Sequence, residues 1–305
     1  MGDYLTLLAG ELQRSIAGRV LLEEPLSRHT TFRIGGPADL LALPTNREDI
    51  EACISFSREK GLPFYILGNG SNLLVREKGV RGLVIKTTGL SRLEVKDANI
   101  WAEAGVLLAR VLSKAQKAGL SGLEFAAGIP ATLGGATVMN AGTPAGSMED
   151  VVARVEVLDK EGRFVIADGS QLGFGYRESR IKGSGQVVVA VLLALKPGHP
   201  EEIDRLIAQR LALRKKKQPL AWPNAGCIFK NPPGYAAGWL IEQVGAKGWS
   251  RGDAEVSTIH ANFIINRGRA TASDVLGLIE RVREEVFKRF GIYLDLEIEI
   301  WGEGP

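Results

Sequence analysis

The chain has 305 residues, of which 45% are hydrophobic and 24% are charged, and its formal net charge is +3. This ordinary globular composition argues against wholesale disorder, and the small net charge argues against nucleic-acid binding by the bulk of the surface. The length is enough for two domains, each with its own hydrophobic core.

The sequence also disfavours membrane insertion, secretion and metal binding. The longest apolar run, residues 187–195, is half of a membrane span, and Asp3 and Glu11 interrupt an N-terminal segment that lacks the pattern of a signal peptide. Cys53 and Cys227 are the two cysteines, they lie far apart, and the three histidines are scattered. We therefore expect a cytoplasmic protein with no disulfide, no metal and no membrane segment.

Helices and strands alternate through the first two thirds of the chain. Thr45 and Glu48 have the spacing of a capping box, which predicts a helix beginning at Asn46, and Gly61 and Gly119 mark helix ends. Residues 159–162, Asp-Lys-Glu-Gly, separate two apolar stretches and predict a hairpin. In chain order, the predicted elements are helix 46–60, strands 63–67, 73–75, 83–86 and 100–104, helix 106–118, and strands 151–158, 164–167 and 187–195.

The alternation resumes after residues 196–200, Lys-Pro-Gly-His-Pro, which are the best candidate for a linker. Thr271 and Asp274 predict the start of a long helix, whose apolar stripe consists of Val275, Ile279, Val282 and Val286. The predicted elements are helix 201–216, strand 227–229, helix 236–244, strand 262–265, helix 273–290 and a strictly alternating strand 293–301. This order predicts an α+β fold with a domain boundary near residue 197.

Two glycine-rich segments are the most informative features, LGNGSNLLV (67–75) and AGIPATLGGATVMNAG (127–142). Their glycines let backbone N–H groups approach a ligand, and successive N–H groups form concavities that suit phosphate oxygens. The first segment is not a Rossmann fingerprint, because Leu73 replaces the third glycine and a strand, not a helix, follows. Glycine turns more often simply reverse a chain, but two long loops favour one diphosphate ligand held from both sides.

Three further segments contain the residues that are capable of chemistry, and each also has a plain structural interpretation. A loop arginine is usually at the surface, a lone cysteine is usually buried beside its neighbours, and a row of acidic residues is usually the solvent side of a sheet. The segments are FGYRES (174–179) with Tyr176 and Arg177, AGCIFKNP (225–232) with Cys227, Lys230 and Asn231, and the terminal strand, where Asp295, Glu297 and Glu299 share one face. The residues alone indicate a diphosphate-cofactor protein, with an enzyme favoured.

These motifs resemble those of the UDP-N-acetylenolpyruvoylglucosamine reductase family, flavoenzymes of bacterial peptidoglycan synthesis. Seven segments agree in order: HTTFRIGGPADLL (29–41), LGNGSNLLV, AGIPATLGGATVMNAG, FGYRES, AGCIFKNP, HANFIIN (260–266) and LEIEIWG (296–302). The resemblance implies an FAD-binding domain of the vanillyl-alcohol-oxidase type with two α+β subdomains in residues 1–196, and a smaller α+β substrate-binding domain in residues 197–305. The short interval between Arg177 and Cys227 leaves no room for the extra loop of one branch, so the chain is similar to the type II form.

The resemblance further implies a non-covalent FAD and NADPH as the hydride donor. NADPH would reduce the flavin and leave, and the enolpyruvyl sugar nucleotide would then enter the same cleft. The residues implied to bind FAD are Arg33, Leu67, Gly68, Asn69, Gly70, Ser71, Asn72, Gly128, Ile129, Pro130, Thr132, Gly134, Gly135, Asn140 and Ala141.

Three residues match the family's catalytic positions. Arg177 would face the negative charge that develops on the enolpyruvyl carboxylate, Glu297 would help to polarise that carboxylate from the opposite side while protonated, and Cys227 would donate the proton to C2. The implied substrate is UDP-N-acetylglucosamine enolpyruvate, and the expected oligomeric state is a monomer. The residues implied to bind the substrate's phosphates or carboxylate are Tyr176, Lys217, Lys230, Asn231 and His260.

The chain departs from the family pattern at three positions. The usual proton donor is serine, but the thiol of Cys227 suits the role because its ordinary pKa, near 8.5, makes it a far stronger acid than an alcohol. Ala131 stands where glycine is common, and Glu299 stands where arginine is common.

Two other functions compete with the reductase. One is an FAD-dependent oxidase of the same fold class, which has no need of the AGCIFKNP and HANFIIN segments. The other is a non-catalytic protein that binds flavin or a sugar nucleotide, against which the presence of both Arg177 and Glu297 argues.

Overall fold

Residues 2–304 are described by a computed structural model, and the chain crosses more than once between two units. The first unit contains Met1–Leu22, Leu40–Asn69 and Gly82–Leu213, and the second contains Glu23–Asp39, Gly70–Arg81 and Arg214–Pro305. The last crossing lies within a helix. The predicted division into residues 1–196 and 197–305 stays a prediction.

All five predicted helices are confirmed to within two residues at each end, and the helices Gly2–Ser15 and Leu133–Val138 are additional. Gly61 ends the second helix with φ +64°, as predicted, because glycine adopts the left-handed conformation without strain. The helices are α1 Gly2–Ser15, α2 Arg47–Lys60, α3 Leu108–Lys117, α4 Leu133–Val138, α5 Pro200–Lys217, α6 Ala237–Gln243 and α7 Ala272–Phe290. Among residues 2–304, none of the helices is long and apolar enough to cross a membrane.

The start of α2 differs from the prediction by one residue. Asn46, not Thr45, is the N-cap, and its side chain accepts a hydrogen bond from the N–H of Asp49 at 2.8 Å. The Thr45 hydroxyl instead donates to the Asp49 carboxylate at 3.0 Å. The capping box assigned to Thr45 and Glu48 is therefore wrong, because asparagine is at least as strong a cap as threonine and stands next to it. The capping box of Thr271 and Asp274 at the start of α7 is confirmed.

The strands are mostly short. They are β1 Arg19–Pro25, β2 Pro37–Leu43, β3 Phe64–Leu67, β4 Leu73–Val75, β5 Val80–Lys86, β6 Leu93–Lys96, β7 Asn99–Glu103, β8 Leu120–Ser121, β9 Gly142–Thr143, β10 Gly146–Ser147, β11 Val152–Leu158, β12 Phe164–Asp168, β13 Val187–Ala194, β14 Lys196–Pro197, β15 Ser250–Arg251, β16 Ala254–Val256, β17 Ile264–Asn266 and β18 Glu299–Trp301.

The first unit holds an antiparallel five-stranded sheet in the order β12-β11-β13-β7-β6. Its β11–β12 hairpin confirms the turn predicted at residues 159–162. One hydrophobic core of this unit packs this sheet against α3 and α4, and another surrounds α1 and α2, with Leu12, Ile50 and Cys53 fully buried. A four-stranded sheet has the order β1-β2-β5-β3, with β3 parallel to β5.

The predicted linker after residue 195 is paired. Lys196 and Pro197 form β14, which pairs antiparallel with β8, and the N–H of Gly198 donates to the carbonyl of Gly119 at 2.9 Å. A two-residue edge strand tolerates proline, because the N–H that proline lacks is not needed there.

The second unit is built around α7. The predicted stripe Val275, Ile279, Val282 and Val286 is buried in its core, together with α6 and the three-stranded sheet β15-β16-β17. The predicted strand 293–301 is shorter than expected: regular pairing begins at Glu299, where β18 runs parallel to β4. The alternation of residues 293–298 still shows in burial, since Leu294 and Ile298 are buried while Asp295 is exposed.

Candidate active site

The first glycine loop joins β3 to β4 and contains residues 68–72. A strand follows it, which confirms that the loop is not of the Rossmann type. Gly70 has φ +64°, and a Cβ there would collide with the His29 carbonyl, so only glycine fits this turn. The carbonyl of Gly70 accepts a hydrogen bond from the N–H of Thr31 at 3.1 Å, which fixes the turn against the 29–31 segment.

The second glycine loop surrounds the short helix α4. Thr132 caps α4 by accepting a hydrogen bond from the N–H of Gly135 at 3.4 Å. Gly134 packs on Ala104, to whose carbonyl its N–H donates at 2.9 Å, and a Cβ at Gly134 would lie 2.7 Å from that of Ala104. Close packing therefore accounts for Gly134 by itself. Ala131, which replaces a common glycine, is not among the residues with positive φ, so alanine is accommodated there without strain.

The two loops contact each other within the first unit. The side-chain amide of Asn69 donates to the carbonyl of Pro130 at 2.6 Å. A Cβ at Gly68 would collide with the Thr132 hydroxyl, so glycine is required at this crossing. The segments 67–75 and 127–142 contain no acidic residue, which is the composition that an anionic diphosphate needs nearby.

The remaining predicted cofactor residues are distributed along the same segments. Arg33 lies between β1 and β2, is exposed, and has φ +56°. Leu67 is the last residue of β3, Gly70, Ser71 and Asn72 complete the first loop, Gly128, Ile129 and Pro130 precede α4, Gly135 lies in α4, and Asn140 and Ala141 follow it.

The FGYRES loop docks on the end of the second glycine loop, a contact that the sequence did not predict. The side-chain amide of the buried Asn140 donates to the Gly175 carbonyl at 3.0 Å, and the Ser179 hydroxyl donates to the Val138 carbonyl at 2.7 Å. Asn140 also accepts from the N–H of Glu149 at 3.0 Å, so its whole amide is used in holding these segments.

Arg177 lies at the tip of this docked loop. Gly175 and Glu178 exchange two backbone hydrogen bonds of 3.1 and 3.2 Å, which close a tight turn around Tyr176 and Arg177. Arg177 has φ +60°, a conformation that is uncommon for a residue with a side chain. Its guanidinium lies 5.1 Å from the centre of the exposed Tyr176 ring. The turn thus presents a cation from a fixed backbone.

The Cys227 segment is extended but is not the predicted strand 227–229. Only Phe229 forms a bridge, to Leu296, and the N–H of Lys230 donates to the Asp295 carbonyl at 2.8 Å. Upstream, Gly226 has φ +79° and its N–H donates to the Asn224 side chain at 2.9 Å. Regular pairing on the other edge stops at Phe229, because the side chain of Asn262 bonds both the N–H and the carbonyl of this residue.

Glu297 is held beside the Cys227 segment in the second unit. Its N–H donates to the Ile228 carbonyl at 2.8 Å, and its carbonyl accepts from the Asn72 amide at 3.0 Å. The carbonyl of Asn72 accepts in turn from the N–H of Glu299 at 2.9 Å. Asn72, which was predicted to bind the cofactor, therefore uses its side-chain amide to fix the backbone of Glu297.

The two cysteines have different environments. Cys53 is fully buried in the core around α2, and this burial, with the negative charge of Asp49 as a smaller cause, raises the pKa of its thiol to about 12. Cys227 is half-buried, in the segment whose backbone is hydrogen-bonded to that of Glu297. Only Cys227 is accessible enough to act on a ligand.

The five predicted substrate residues lie in both units. Tyr176 belongs to the first unit, and Lys217, at the end of α5, belongs to the second with the others. Asn231 accepts a hydrogen bond from the N–H of Ala237, the first residue of α6, at 2.9 Å. Lys230 bonds through its backbone to Asp295.

His260 is half-buried beside two lysines. Burial lowers the pKa of its imidazole, and the positive charges of Lys247 and Lys217 lower it further against the opposing effect of Glu242. Its Nδ1 accepts a hydrogen bond from the N–H of Asn262 at 3.2 Å. That bond requires a neutral ring with its proton on Nε2, which makes Nε2 a donor.

Sequence reasoning missed Asn262, which bonds the backbone of Phe229. The HANFIIN segment could have revealed this residue. Its two asparagines stand among apolar residues at a predicted strand, where an amide is unusual.

The comparisons with known proteins agree over most of the chain. Residues 38–168 match the model of an FAD-binding domain, and residues 218–301 match that of the UDP-N-acetylenolpyruvoylglucosamine reductase C-terminal domain. The UDP-N-acetylenolpyruvoylglucosamine reductase of Moorella thermoacetica is 59% identical over 98% of this chain and 99% of the relative, and that of Heliobacterium modesticaldum is 48% identical over 96% and 94%. The crystal structure of the corresponding reductase from Thermus caldophilus matches with a TM-score of 0.82 and 42% identity, over 94% of this chain and 100% of that chain.

These matches define an FAD-dependent oxidoreductase of the α+β class, which confirms the predicted fold and cofactor. The chain belongs to the UDP-N-acetylenolpyruvoylglucosamine reductase family, as the seven motifs indicated.

Proposed function

We propose that the protein reduces UDP-N-acetylglucosamine enolpyruvate to UDP-N-acetylmuramate with NADPH, in the cytoplasm, as a step of peptidoglycan precursor synthesis. The observation that supports the proposal is the backbone pairing of the Cys227 and Glu297 segments in the second unit, where the N–H of Glu297 donates to the Ile228 carbonyl and Phe229 forms a bridge to Leu296. The names of the relatives supply the substrate.

The glycine loops fit FAD. They contact each other through Asn69 and Pro130, and they carry no acidic residue that would repel a diphosphate. Arg33, the 67–72 loop and the 128–141 segment are the residues that would hold it, without a covalent bond. FAD bound there would supply hydride transfer, from NADPH to C3 of the enolpyruvyl group.

The chain's own residues would handle the charge and the proton. Arg177 meets the negative charge on the enolpyruvyl carboxylate, and Glu297 helps to polarise the same carboxylate. The Cys227 thiol gives its proton to C2, which becomes a saturated carbon as the C2–C3 double bond is lost. The thiolate that remains takes a proton from water before the next turnover.

The substrate's anionic groups would be held by five side chains. Lys217, Lys230 and the Nε2–H of neutral His260 are donors for phosphate or carboxylate oxygens, and Tyr176 and Asn231 complete the set. The protein is proposed to act as a monomer.

Anaerobic titration tests the proposal against its rivals. The purified yellow protein should bleach on addition of NADPH, and the colour should return on addition of the enolpyruvyl sugar nucleotide without oxygen. Return of the colour only with oxygen would support an oxidase instead. Failure of NADPH to bleach the flavin would support a binding protein without this activity.

A further inference from the structure

A buried asparagine outside the predicted site holds the backbone next to Cys227. Asn262 is 3% exposed. Its side-chain oxygen accepts a hydrogen bond from the N–H of Phe229 at 2.9 Å, and its side-chain nitrogen donates to the carbonyl of Phe229 at 2.8 Å. Its own carbonyl accepts from the N–H of Ile228 at 2.9 Å. Asn262 thus pairs the backbone groups on one edge of the Cys227 segment, as a neighbouring strand would.

The other edge of the segment is also bonded. The Ile228 carbonyl accepts from the N–H of Glu297, and the N–H of Lys230 donates to the Asp295 carbonyl, each at 2.8 Å. The segment therefore lies between Asn262 on one side and the Glu297 segment on the other. It cannot slide along either neighbour without leaving buried polar groups unpaired, which is costly.

Cys227 is the residue whose place these contacts determine. It follows Gly226, which makes a left-handed turn fixed by Asn224, and it precedes Ile228, which Asn262 bonds directly. We propose that Asn262 is a positioning residue for Cys227, because its amide fixes the backbone from which the thiol reaches C2 of the substrate. This inference rests on the proposed role of Cys227 as proton donor.

Only an amide satisfies both polar groups of Phe229. Asparagine offers one acceptor and one donor to the adjacent N–H and carbonyl, whereas an ionised aspartate offers two acceptors and would repel the carbonyl. The N–H of Asn262 donates to Nδ1 of His260, so the imidazole supports the same backbone. Asn262→Asp therefore changes one donor into an acceptor with almost no change in shape.

Asn266 of the same motif is a matched control. It is 2% exposed, its side-chain nitrogen donates to the Phe32 carbonyl at 3.1 Å, and its oxygen accepts from the N–H groups of Gly268 and Ala270. It is as buried and as fully bonded as Asn262, but none of these three partners belongs to the Cys227 segment. Asn266 bonds Phe32, which precedes Arg33, one of the residues predicted to bind FAD. If Asn266→Asp disturbs Arg33, the change will therefore appear in the flavin content and not in the ratio of the two rates.

The test measures each half-reaction separately by anaerobic stopped-flow absorbance of the flavin in the holoenzyme. Asn262→Asp should slow reoxidation by the enolpyruvyl substrate by about tenfold or more, because small misplacements of a reacting group are costly. Reduction by NADPH should stay within about twofold, with FAD content unchanged. Asn266→Asp should lower the urea midpoint by a similar amount but leave the ratio of the two rates as in the parent protein. If Asn262→Asp does not fold, Asn262→Ser removes the same pair of bonds without adding a charge, and the same ratio is measured.

A double variant shows whether Asn262 acts by positioning Cys227 or by a general effect on the stability of the protein. In a Cys227→Ala background, Asn262→Asp should slow reoxidation by less than about twofold further, because residues that act through one another are not additive. Three outcomes would overturn this inference and leave the proposed function standing. The first is full additional slowing by Asn262→Asp in that background, and the second is equal slowing of both half-reactions. The third is normal reoxidation in Asn262→Asp while reoxidation in Cys227→Ala is slow. Fast reoxidation in Cys227→Ala would instead remove the proton donor of the proposed function, and the inference with it.

Discussion

Backbone strain coincides with the candidate site. Five residues other than glycine have positive φ within residues 2–304, and three of them, Arg33, Asn140 and Arg177, are predicted site residues. Such conformations persist only where the surrounding contacts determine them, as the Asn140 amide does for the FGYRES loop. The strained backbone of Arg177 costs the turn some stability, as is common where a side chain must be held in one orientation for function.

Replacing Arg177 by lysine tests this residue. Arg177→Lys keeps the charge but loses the planar fork that can bind a carboxylate through two bonds. Steady-state turnover should fall by at least tenfold while FAD content stays normal, and Arg180→Lys, at an exposed position nearby, should retain full turnover. A loss below about threefold, worth about 0.7 kcal/mol of barrier, would mean that Arg177 is not the catalytic arginine.

The neutral state of His260 predicts a pH dependence of stability. Because burial and Lys247 lower its pKa in the folded protein, the unfolded chain takes up the proton first as the pH falls. The stabilising contribution is complete above the ordinary pKa near 6.5 and is lost as the pH falls below it. His260→Asn keeps an acceptor near the Asn262 N–H but does not titrate. Urea unfolding should show the parent protein losing stability relative to this variant between about pH 7 and pH 5, and a difference that is constant or that grows in the opposite direction would refute the assignment.

At the scale of single elements, sequence signals predicted the helix ends, which are determined by contacts between residues close in the chain. Glycine ends located α2 and α3, and a capping box with an apolar stripe located α7, each to within a few residues, because each signal acts inside its own helix. The strands at 227–229 and 293–301 were predicted too long. There, Asn262 and Asn72 bond backbone groups that a strand pattern assigns to a neighbouring strand, and the sequence does not show which distant side chain arrives.

The capping box of α7 allows a prediction at this scale. Thr271 accepts from the N–H of Asp274 at 3.1 Å, and Asp274 accepts from the N–H of Thr271 at 3.0 Å. Thr271→Ala should lower the free energy of unfolding by about 1 kcal/mol, as removal of an N-cap usually does. Thr258→Ala, at another exposed threonine, is the control for loss of the hydroxyl itself. Equal effects of the two substitutions, measured by urea unfolding, would mean that the cap contributes nothing.

At the scale of the whole molecule, the sequence predicted the family from seven motifs. Residues 23–39 and 70–81 join the C-terminal residues in the second unit, so the first glycine loop belongs to both units, with Asn69 in one and Gly70 in the other. The buried Phe32, Ile34 and Leu74 explain this, since they pack in the core formed by α6 and α7. Apolar periodicity shows that such residues are buried, but it does not show in which core.

The mode of FAD binding is a property of the whole molecule. The glycine segments 67–75 and 127–142 contain no cysteine or histidine to which a flavin could be attached. FAD should therefore copurify with the protein, and acid precipitation should release the yellow colour into the supernatant. Colour retained in the washed protein pellet would show a covalent link and contradict the prediction.

The central claim is that Cys227 donates the proton to C2, and separate measurement of the two half-reactions tests it most directly. In Cys227→Ala, reduction of the flavin by NADPH should be nearly unchanged, while reoxidation by the enolpyruvyl substrate should slow by about 10²-fold, the usual contribution of a positioned general acid. Cys227→Ser should recover much of that loss, because the hydroxyl restores a proton donor of similar shape. Reoxidation in the alanine variant as fast as in the parent protein would contradict the account.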